Sequence, residues 1–507
     1  MQLPVKLEPG NGMTLQAQLF EAIRNLILNG LLKPGEVVPG TRVLSQQLSV
    51  SRNTVLVAYD RLVAEGYLES RPTVGTIVSP DLPDASVSPS MRPDALRSGD
   101  AMERQASRHP ALFKGRTHPV VSPNRHRLAI DFWVGRPDPH SFPTKSWRRR
   151  LLHNLTFAGA NLTEYGDPIG LQKLRCAIAD FLGPARGIKV EPDQVIVVNG
   201  SQAALNLVAR LLIEKGTTVM IEEPCYQGAA FVFESYGAKL RAVPVDDRGI
   251  DTAHLPDEPI GLAYVTPSHQ YPLGVTLSLE RRLRLLDWAW KTGAYLIEDD
   301  YDSDFRHKGS PLIALAGQDV HGCVIYIGTF SKSIGAGIRL GYLVVPPELV
   351  ESARMVRTLH DNGHAWLDQA TLADFISSGS YERHLRRIRR TYLSRRDCLL
   401  ESLRANFGEV RLTGLEGGMH LAWHLPPDFP KATHVQKIAE DVGVGIYSLT
   451  TGAALNCNGD WGGDRVLLIG YSSVPEDQIR EGIARVAKAC YSFRGKEGRG
   501  SPASLTT

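Results

Sequence analysis

Apolar residues recur at helical spacing near the start of the chain, which predicts an amphipathic first helix. Segments 41–48 and 52–65 are predicted to form two more helices, and Ser51 is a favourable N-cap for the second of these. Alternating apolar and polar residues at 67–69 and 76–78 predict two short strands. A helix, a helix-turn-helix and a hairpin in this order predict a winged helix-turn-helix. The apolar positions of the first helix are Leu15, Leu19, Ala22, Ile23, Leu26 and Ile27.

A different pattern follows, in which short β-branched runs alternate with helical stretches. It predicts an α/β domain whose mostly parallel central sheet is covered by helices. The chain is therefore predicted to be multidomain, with the winged helix in residues 1–80 and the α/β domain in 129–494. Residues 81–128 are rich in Pro, Ser and Arg and are predicted to be a flexible linker, with a DNA-tracking role as the alternative. Residues 495–507 are predicted to be a disordered tail. The β-branched runs are 195–198, 219–221, 262–265, 295–297 and 324–327.

The composition of the 507 residues is that of a globular protein, with 43% hydrophobic and 22% charged residues. It excludes collagen-like and mostly disordered classes. No stretch approaches the roughly 18 apolar residues that a membrane span needs, and the first residues contain no apolar signal segment. The six cysteines include no Cys-x-x-Cys pair, which fits a reducing compartment and provides neither a disulfide framework nor a zinc site. We therefore expect a cytoplasmic protein that has no membrane segment and no metal site.

The start of the third predicted helix carries residue types that read DNA. In a helix-turn-helix, the second helix enters the major groove with its N-terminal residues on base edges. The net charge of the whole chain is only +3, so an ordinary polar surface is the competing interpretation. The residues at this helix start are Ser51, Arg52, Asn53 and Thr54, which supply one guanine reader, one adenine reader and two hydroxyls.

Motifs at 32–35, 38–42, 44–48, 51–54 and 62–68 together resemble the winged-helix domain of GntR-type repressors. Gly40 departs from the family pattern, since a capping Ser is usual there. The wing departs from it as well, because residues 71–75 read Arg-Pro-Thr-Val-Gly where a Gly-rich tip is usual. The residues that the resemblance implies in DNA contact are Arg42, Ser51, Arg52, Thr54 and Gly75.

Lys332 follows a predicted buried strand and precedes a Gly-rich turn. In such a place small residues let a phosphate approach, and a lysine amine can form an imine, although an isolated lysine is most often a surface residue. Asp299 follows another predicted strand, where a carboxylate faces the crevice in which ligands bind. Pyridoxal chemistry needs a carboxylate that keeps the pyridine nitrogen protonated, although a solvated acidic turn is the competing interpretation. Residues 199–202 open a helix, and helix starts favour phosphate.

These elements in this order resemble the aminotransferases of fold type I. The resemblance implies pyridoxal 5′-phosphate as cofactor, with an internal aldimine on Lys332 and Asp299 paired with the pyridine nitrogen. It implies that Tyr226 stacks on the ring and that Tyr301 hydrogen-bonds the ring hydroxyl. Arg465 stands where these enzymes bind a substrate carboxylate, or is a strand-end surface charge. The implied phosphate ligands are Ser201, Gln202, Thr329 and Arg339.

One segment departs from the aminotransferase pattern. Many of these enzymes have Asn-Pro-x-Gly where residues 268–274 read Ser-His-Gln-Tyr-Pro-Leu-Gly, so the Asn that helps to hold the ring hydroxyl is replaced. The change bears on catalytic competence rather than on cofactor binding. His269 either points into the pocket or caps the loop.

A GntR-like winged helix, a linker and an aminotransferase-like domain are the arrangement of MocR/GabR-type bacterial regulators, and this resemblance covers nearly the whole chain. It implies a homodimer whose two DNA-binding domains bind paired half-sites of an operator. We interpret the chain as a pyridoxal-phosphate-dependent transcriptional regulator. An amino compound, or the cofactor itself, would fill the lysine site and shift the dimer between two arrangements. The alternatives are an active aminotransferase with an accessory DNA-binding domain, and a sensor of the cofactor alone.

Overall fold

The chain divides into two compact units, residues 1–106 and 107–507. The predicted linker lies almost entirely outside the described residues, as do residues 498–507 of the predicted tail. The computed structural model describes residues 3–7, 13–82, 128–307, 312–451, 453–457 and 462–497.

The first unit contains a winged helix-turn-helix, as the sequence predicted. Ser51 begins the third helix because its hydroxyl accepts a hydrogen bond of 3.1 Å from the Thr54 N–H. Gly40 precedes the second helix without a side-chain cap. The two strands pair antiparallel and form the wing. The elements are α1 (Leu15–Leu28), α2 (Thr41–Leu48), α3 (Arg52–Ala64), β1 (Leu68–Arg71) and β2 (Gly75–Val78).

The second unit is built on an eight-stranded sheet with the strand order β4-β12-β11-β10-β9-β5-β7-β8. Neighbouring strands from β11 through β7 are parallel, whereas β12 is antiparallel to both of its neighbours. The strands in chain order are β3 (Ile130–Asp131), β4 (Val195–Val198), β5 (Thr218–Glu223), β6 (Cys225–Tyr226), β7 (Lys239–Asp246), β8 (Gly249–Ile250), β9 (Leu262–Val265), β10 (Tyr295–Asp300), β11 (Val324–Thr329), β12 (Gly341–Val344), β13 (Arg411–Thr413), β14 (His420–His424), β15 (Val444–Gly445), β16 (Tyr447–Ser448), β17 (Ala454–Leu455) and β18 (Val466–Gly470).

Helices cover this sheet and bury its apolar residues. The predicted α/β fold class is therefore confirmed, and all five predicted strand runs lie in the sheet. The helices of the second unit are α4 (Thr144–Thr156), α5 (Gln172–Arg186), α6 (Ser201–Leu212), α7 (Gln227–Ser235), α8 (Leu279–Thr292), α9 (Leu315–Gln318), α10 (Val350–Asp361), α11 (Trp366–Ser377), α12 (Ser380–Phe407), α13 (Ala432–Asp441) and α14 (Glu476–Glu497).

A smaller antiparallel sheet, in the order β13-β14-β18-β16, forms the C-terminal part of the unit. The long helices α12 and α14 pack against each other beside it. The last helix continues to Glu497, so the prediction that a tail starts at residue 495 is wrong for residues 495–497. Among the described helices, none combines the length and the apolar character that crossing a bilayer requires.

Candidate functional site

Lys332 lies in a one-turn π-helix, Ser331–Gly335, directly after β11. Its Nζ donates a hydrogen bond of 2.8 Å to the Gly135 carbonyl, from a segment 197 residues earlier. Burial lowers the pKa of the Lys332 amine, while the carboxylates of Asp302 and Asp299 act in the opposite direction. A lowered pKa increases the neutral fraction of the amine, which is the nucleophilic form.

Asp299 is the partner that the sequence predicted for a pyridine nitrogen, and it lies within β10 rather than in a solvated turn. The carboxylate is only 4% exposed. Its Oδ2 accepts a hydrogen bond of 2.9 Å from the Tyr264 hydroxyl, whereas Oδ1 has no hydrogen-bond partner among the described residues. Burial, above all, raises the pKa of Asp299 to about 7. An orphaned buried carboxylate oxygen beside an amine fits a cationic N–H from a ligand.

Tyr301 and His269 meet at the same edge of the sheet. The Tyr301 hydroxyl donates to the His269 carbonyl at 2.9 Å, and His269 Nδ1 lies 3.1 Å from that hydroxyl. His269 Nδ1 is also 2.9 Å from Asp302 Oδ2. Of the two positions that the sequence left open for His269, the structure therefore has the one pointing inward, with the ring 4% exposed.

Tyr226 and Gln202 form another side of the cleft. The Tyr226 hydroxyl donates to Gln202 Oε1 at 3.4 Å, and its ring meets the Tyr271 ring edge-on with 5.7 Å between centroids. Burial, and then the charge of Asp299, raise the pKa of Tyr226 to about 12, so its hydroxyl stays protonated at neutral pH. The cleft thus contains flat aromatic surface on which a heteroaromatic ring can stack.

The start of α6 presents backbone groups that can bind an anion. Ser201 and Gln202 occupy its first turn, where backbone N–H groups have no acceptor within the helix. Gly200 precedes them at φ +85°, and a Cβ there would lie 2.9 Å from Arg339 Nη2. Glycine therefore lets the guanidinium approach the helix start. Thr329 ends β11 shortly before Lys332, and its Oγ1 accepts from the Ser331 N–H at 3.2 Å.

In the first unit, the predicted DNA readers lie on the surface. Arg42, Arg52 and Asn53 are exposed, as a base-reading helix start requires. Gly75 is exposed in the wing at φ +106°. Ser51 and Thr54 are joined by their hydroxyls at 2.8 Å as part of the helix cap. These two hydroxyls therefore stabilise the helix start whether or not DNA is bound.

The chain matches two family models. Residues 15–78 match the model for bacterial regulatory proteins of the gntR family. Residues 130–485 match the model for class I and II aminotransferases. The two matches correspond to the two units of the structure.

Full-length relatives carry both parts. The chain is 38% identical to the probable rhizopine catabolism regulatory protein MocR of Rhizobium meliloti, over 80% of this chain and 81% of that protein. It is 31% identical to the pyridoxine biosynthesis regulator PdxR of Corynebacterium glutamicum over 96% and 98%. It is 32% identical to the regulator TauR of Rhodobacter capsulatus over 96% and 100%. The chain belongs to the MocR-type family of transcriptional regulators.

The second unit of this MocR-type regulator resembles solved aminotransferases. A kynurenine aminotransferase of Pyrococcus horikoshii is 28% identical with a TM-score of 0.66, over 73% of this chain and 92% of that one. The α-aminoadipate aminotransferase LysN of Thermus thermophilus is 27% identical with a TM-score of 0.66, over 77% and 96%. A GntR-type domain implies DNA binding, and an aminotransferase fold implies dependence on pyridoxal phosphate.

Arg465 directly precedes β18, as the sequence predicted, but it lies at the end of the strand that points away from the lysine cleft. The strand β18 meets the lysine cleft at Gly470, whose N–H bonds to the Phe132 carbonyl near Gly135. Arg465 precedes the other end of this strand, about 17 Å away at 3.4 Å per residue. Its Nη1 donates to the carbonyls of Pro426 and Phe429 at 2.9 and 3.0 Å. The structure therefore does not support the expectation that Arg465 binds a carboxylate beside Lys332, since its position and hydrogen bonds make it a residue that fixes a loop.

We expect Arg465→Ala to destabilise the MocR-type regulator without changing cofactor binding. Loss of two hydrogen bonds to carbonyls should lower the free energy of unfolding by on the order of 1–2 kcal/mol. Urea unfolding measures that loss, and titration with pyridoxal phosphate measures binding. A variant of unchanged stability that no longer responds to carboxylated amines would restore the original expectation.

Sequence reasoning missed several residues of the cleft. Tyr264 supports Asp299, and Gly135 accepts from Lys332. His420 lies under His269 with 4.8 Å between ring centroids, and burial lowers its pKa to about 3, so it is neutral. The donor atoms of His269, Asp302 and His420 lie within 4.8 Å of one another, a grouping that could hold a metal ion and that the sequence did not predict. No sequence signal marks Gly135, Tyr264 or His420, since each comes from a separate segment.

Proposed function

We propose that this MocR-type regulator binds pyridoxal 5′-phosphate at Lys332 and uses the occupied cleft to sense an amino compound. The observation that carries the proposal is the unpartnered Oδ1 of buried Asp299 in the same cleft as an amine of lowered pKa. A protonated pyridine nitrogen supplies the donor that Asp299 lacks.

Each residue of the cleft has a defined task in this proposal. When bound, pyridoxal phosphate supplies a carbonyl carbon that reacts reversibly with primary amines. Lys332 presents its amine, Asp299 holds a proton on the ring nitrogen, and Tyr226 offers its ring face for stacking. Tyr301 is already positioned by its bond to the His269 carbonyl, so its hydroxyl is held at the edge of the cleft. The helix start at Ser201 and Gln202, with Arg339 and Thr329, would hold the phosphate.

The effector is defined by its amino group rather than by a carboxylate. Arg465 lies at the far end of β18, and Arg136, which follows Gly135, is ion-paired with Asp131 at 2.9 Å. Neither guanidinium is free for a bidentate carboxylate partner in the cleft. We therefore expect amines without a carboxylate to be accepted as well as amino acids.

A second copy of the chain completes the regulator. Residues 152–165 expose five large apolar side chains in a short stretch of the second unit, and exposed apolar patches of this kind mark interaction sites. Phe157 is 72% exposed and Tyr165 is 89% exposed. A homodimer would cover this surface and would present two winged helices to a two-part operator. The apolar residues are Leu152, Leu155, Phe157, Leu162 and Tyr165.

Regulation follows from differential binding. An amino compound shifts the dimer between two arrangements only if it binds one of them more tightly than the other. The decisive experiment adds pyridoxal phosphate to the purified protein, reduces it with borohydride and locates the modified lysine by mass spectrometry. The visible spectrum and the DNA affinity are then followed with a panel of amines. No modification of Lys332 would overturn the proposal, and sustained amino transfer to a 2-oxo acid would instead favour the aminotransferase alternative.

DNA reading by the winged helix has its own prediction. We expect Arg52→Ala to weaken specific binding by about 1–3 kcal/mol and to relax base preference, since one bidentate reader is removed. The probe is a duplex selected in vitro from a random library with the parent protein, and binding is followed by fluorescence anisotropy. Arg241→Ala, an exposed arginine of the second unit, is the matched control. Equal affinity of the Arg52 variant and the control would contradict base reading by this helix.

A further inference from the structure

One helix of the second unit places several arginines on one surface. The first three turns of α12 contain a single acidic residue, Glu382. The exposed cations of this segment, called here the basic face, are Arg383, Arg386, Arg387 and Arg390.

Two hydrogen bonds fix the start of α12 against α4 and the segment before it. Arg150 of α4 donates from Nη2 to the Ser380 hydroxyl at the start of α12, at 2.8 Å. Arg387 of α12 donates to the Ser141 carbonyl just before α4, also at 2.8 Å. Four arginines of α12 line one open hollow of about 640 Å³. These four are Arg383, Arg386, Arg389 and Arg390.

Little negative charge offsets the basic face. The acid paired with it is Glu382, at 3.8 Å from Arg386, and both side chains are more than 60% exposed, so this pair contributes little. Arg390 has no acidic partner among the described residues. Like charges this close repel one another within a Debye length of about 8 Å. A polyanionic ligand would relieve that repulsion.

The spacing of the arginines suits a phosphate backbone. Arg383, Arg386 or Arg387, and Arg390 follow the i, i+3, i+4, i+7 pattern of one helix face, which is about 10 Å long at 1.5 Å per residue. One DNA strand presents a phosphate about every 3.4 Å along the axis, so such a face spans about three phosphates. Guanidinium groups match phosphate geometry with two parallel hydrogen bonds.

We infer that the basic face binds the DNA backbone as a second, sequence-independent contact surface of the regulator. The inference rests on the DNA-binding role of the winged helix, because DNA held by that unit is at high effective concentration for the rest of the chain. It assigns the aminotransferase-like unit a direct contact with DNA, in addition to the sensing role proposed for its cleft.

Salt dependence of binding tests this inference. The full-length protein is titrated onto a duplex of random sequence about 40 base pairs long, between about 50 and about 200 mM KCl. We expect the double variant Arg386→Ala/Arg390→Ala to reduce the slope of log affinity against log salt by about 1.8, because each lost phosphate contact accounts for about 0.9. Affinity at the lowest salt concentration should fall about tenfold or more. The control is Arg284→Ala, an exposed helix arginine that is also paired with a glutamate four residues before it.

The possible outcomes separate the basic face from the winged helix. A slope unchanged in the double variant overturns the inference, whatever the Arg52 variant does. An altered sedimentation coefficient of the double variant, without DNA, would also overturn it, since the face would then contact a second copy. Loss of binding by Arg52→Ala with a normal double variant would support the winged helix alone.

Discussion

Replacing Lys332 with alanine is expected to abolish the visible absorption that pyridoxal phosphate gives with the parent protein, and to prevent borohydride fixation of the cofactor. The reason is that Lys332 Nζ is the amine that the cleft presents, with a pKa lowered by burial. Absorption spectra and intact mass measure the effect. Any response of DNA affinity to amino compounds should disappear with it.

Lys291→Ala is the control for this experiment. Lys291 is an exposed lysine on α8 that pairs with Asp287, so the variant should bind the cofactor as the parent does. A Lys332 variant that retained the absorption, the mass increase and the amine response would overturn the proposed function. A variant that lost the absorption but kept the amine response would show that effectors act elsewhere.

Replacing Asp299 with asparagine is expected to stabilise the cofactor-free protein at pH 8 while weakening its affinity for pyridoxal phosphate. The pKa of this carboxyl is about 7 in the folded protein against an ordinary value of 3.8, so the folded state binds the proton more tightly than the unfolded chain. Stability from this group is therefore greatest at low pH and is lost as the pH rises from about 4 through 7. Asparagine cannot ionise, and its carbonyl oxygen can still accept from Tyr264.

The difference between the Asp299 variant and the parent should grow with pH. The two proteins should differ least at about pH 4, and at about pH 8 the variant should gain on the order of a few kcal/mol, since each pH unit between the two pKa values of the carboxyl corresponds to roughly 1.4 kcal/mol. Thermal unfolding without added cofactor measures this. Asp287→Asn on the exposed surface of α8 should show no such trend. A variant that is less stable than the parent at pH 8 would mean that the Asp299 carboxylate is compensated within the folded protein.

The site residues that can be predicted from the sequence are those that a local pattern marks. Lys332 sits between a strand and a Gly-rich turn, and Asp299 follows a β-branched run, so both can be recognised locally. Tyr264 could not be recognised, because it reaches Asp299 only through the pairing of β9 with β10, and hydrophobic patterns do not specify which strands are neighbours.

Arg465 shows a second limit of sequence reasoning. Its position before a predicted strand was correct, but a strand has two ends and only one of them meets the cleft. The antiparallel pairing of β18 with β14 puts Gly470 opposite His420, which lies beside the cleft, and so turns Arg465 away. Which end of a strand meets the cleft depends on the tertiary fold rather than on the local pattern.

Helix α12 joins the two surfaces on which the proposals rest. On its inner side, the Tyr381 hydroxyl lies 2.9 Å from Ser333 Oγ, and His384 Nε2 lies 2.6 Å from the Ser333 carbonyl. Ser333 is the residue after Lys332, whereas Arg383 and Arg386 project from the outer side of the same turns. A helix is stiff, so any displacement of Ser333 that follows occupancy of the cleft would turn the arginines with it. Helix α12 would then couple occupancy of the cleft at Lys332 to the affinity of its arginines for DNA.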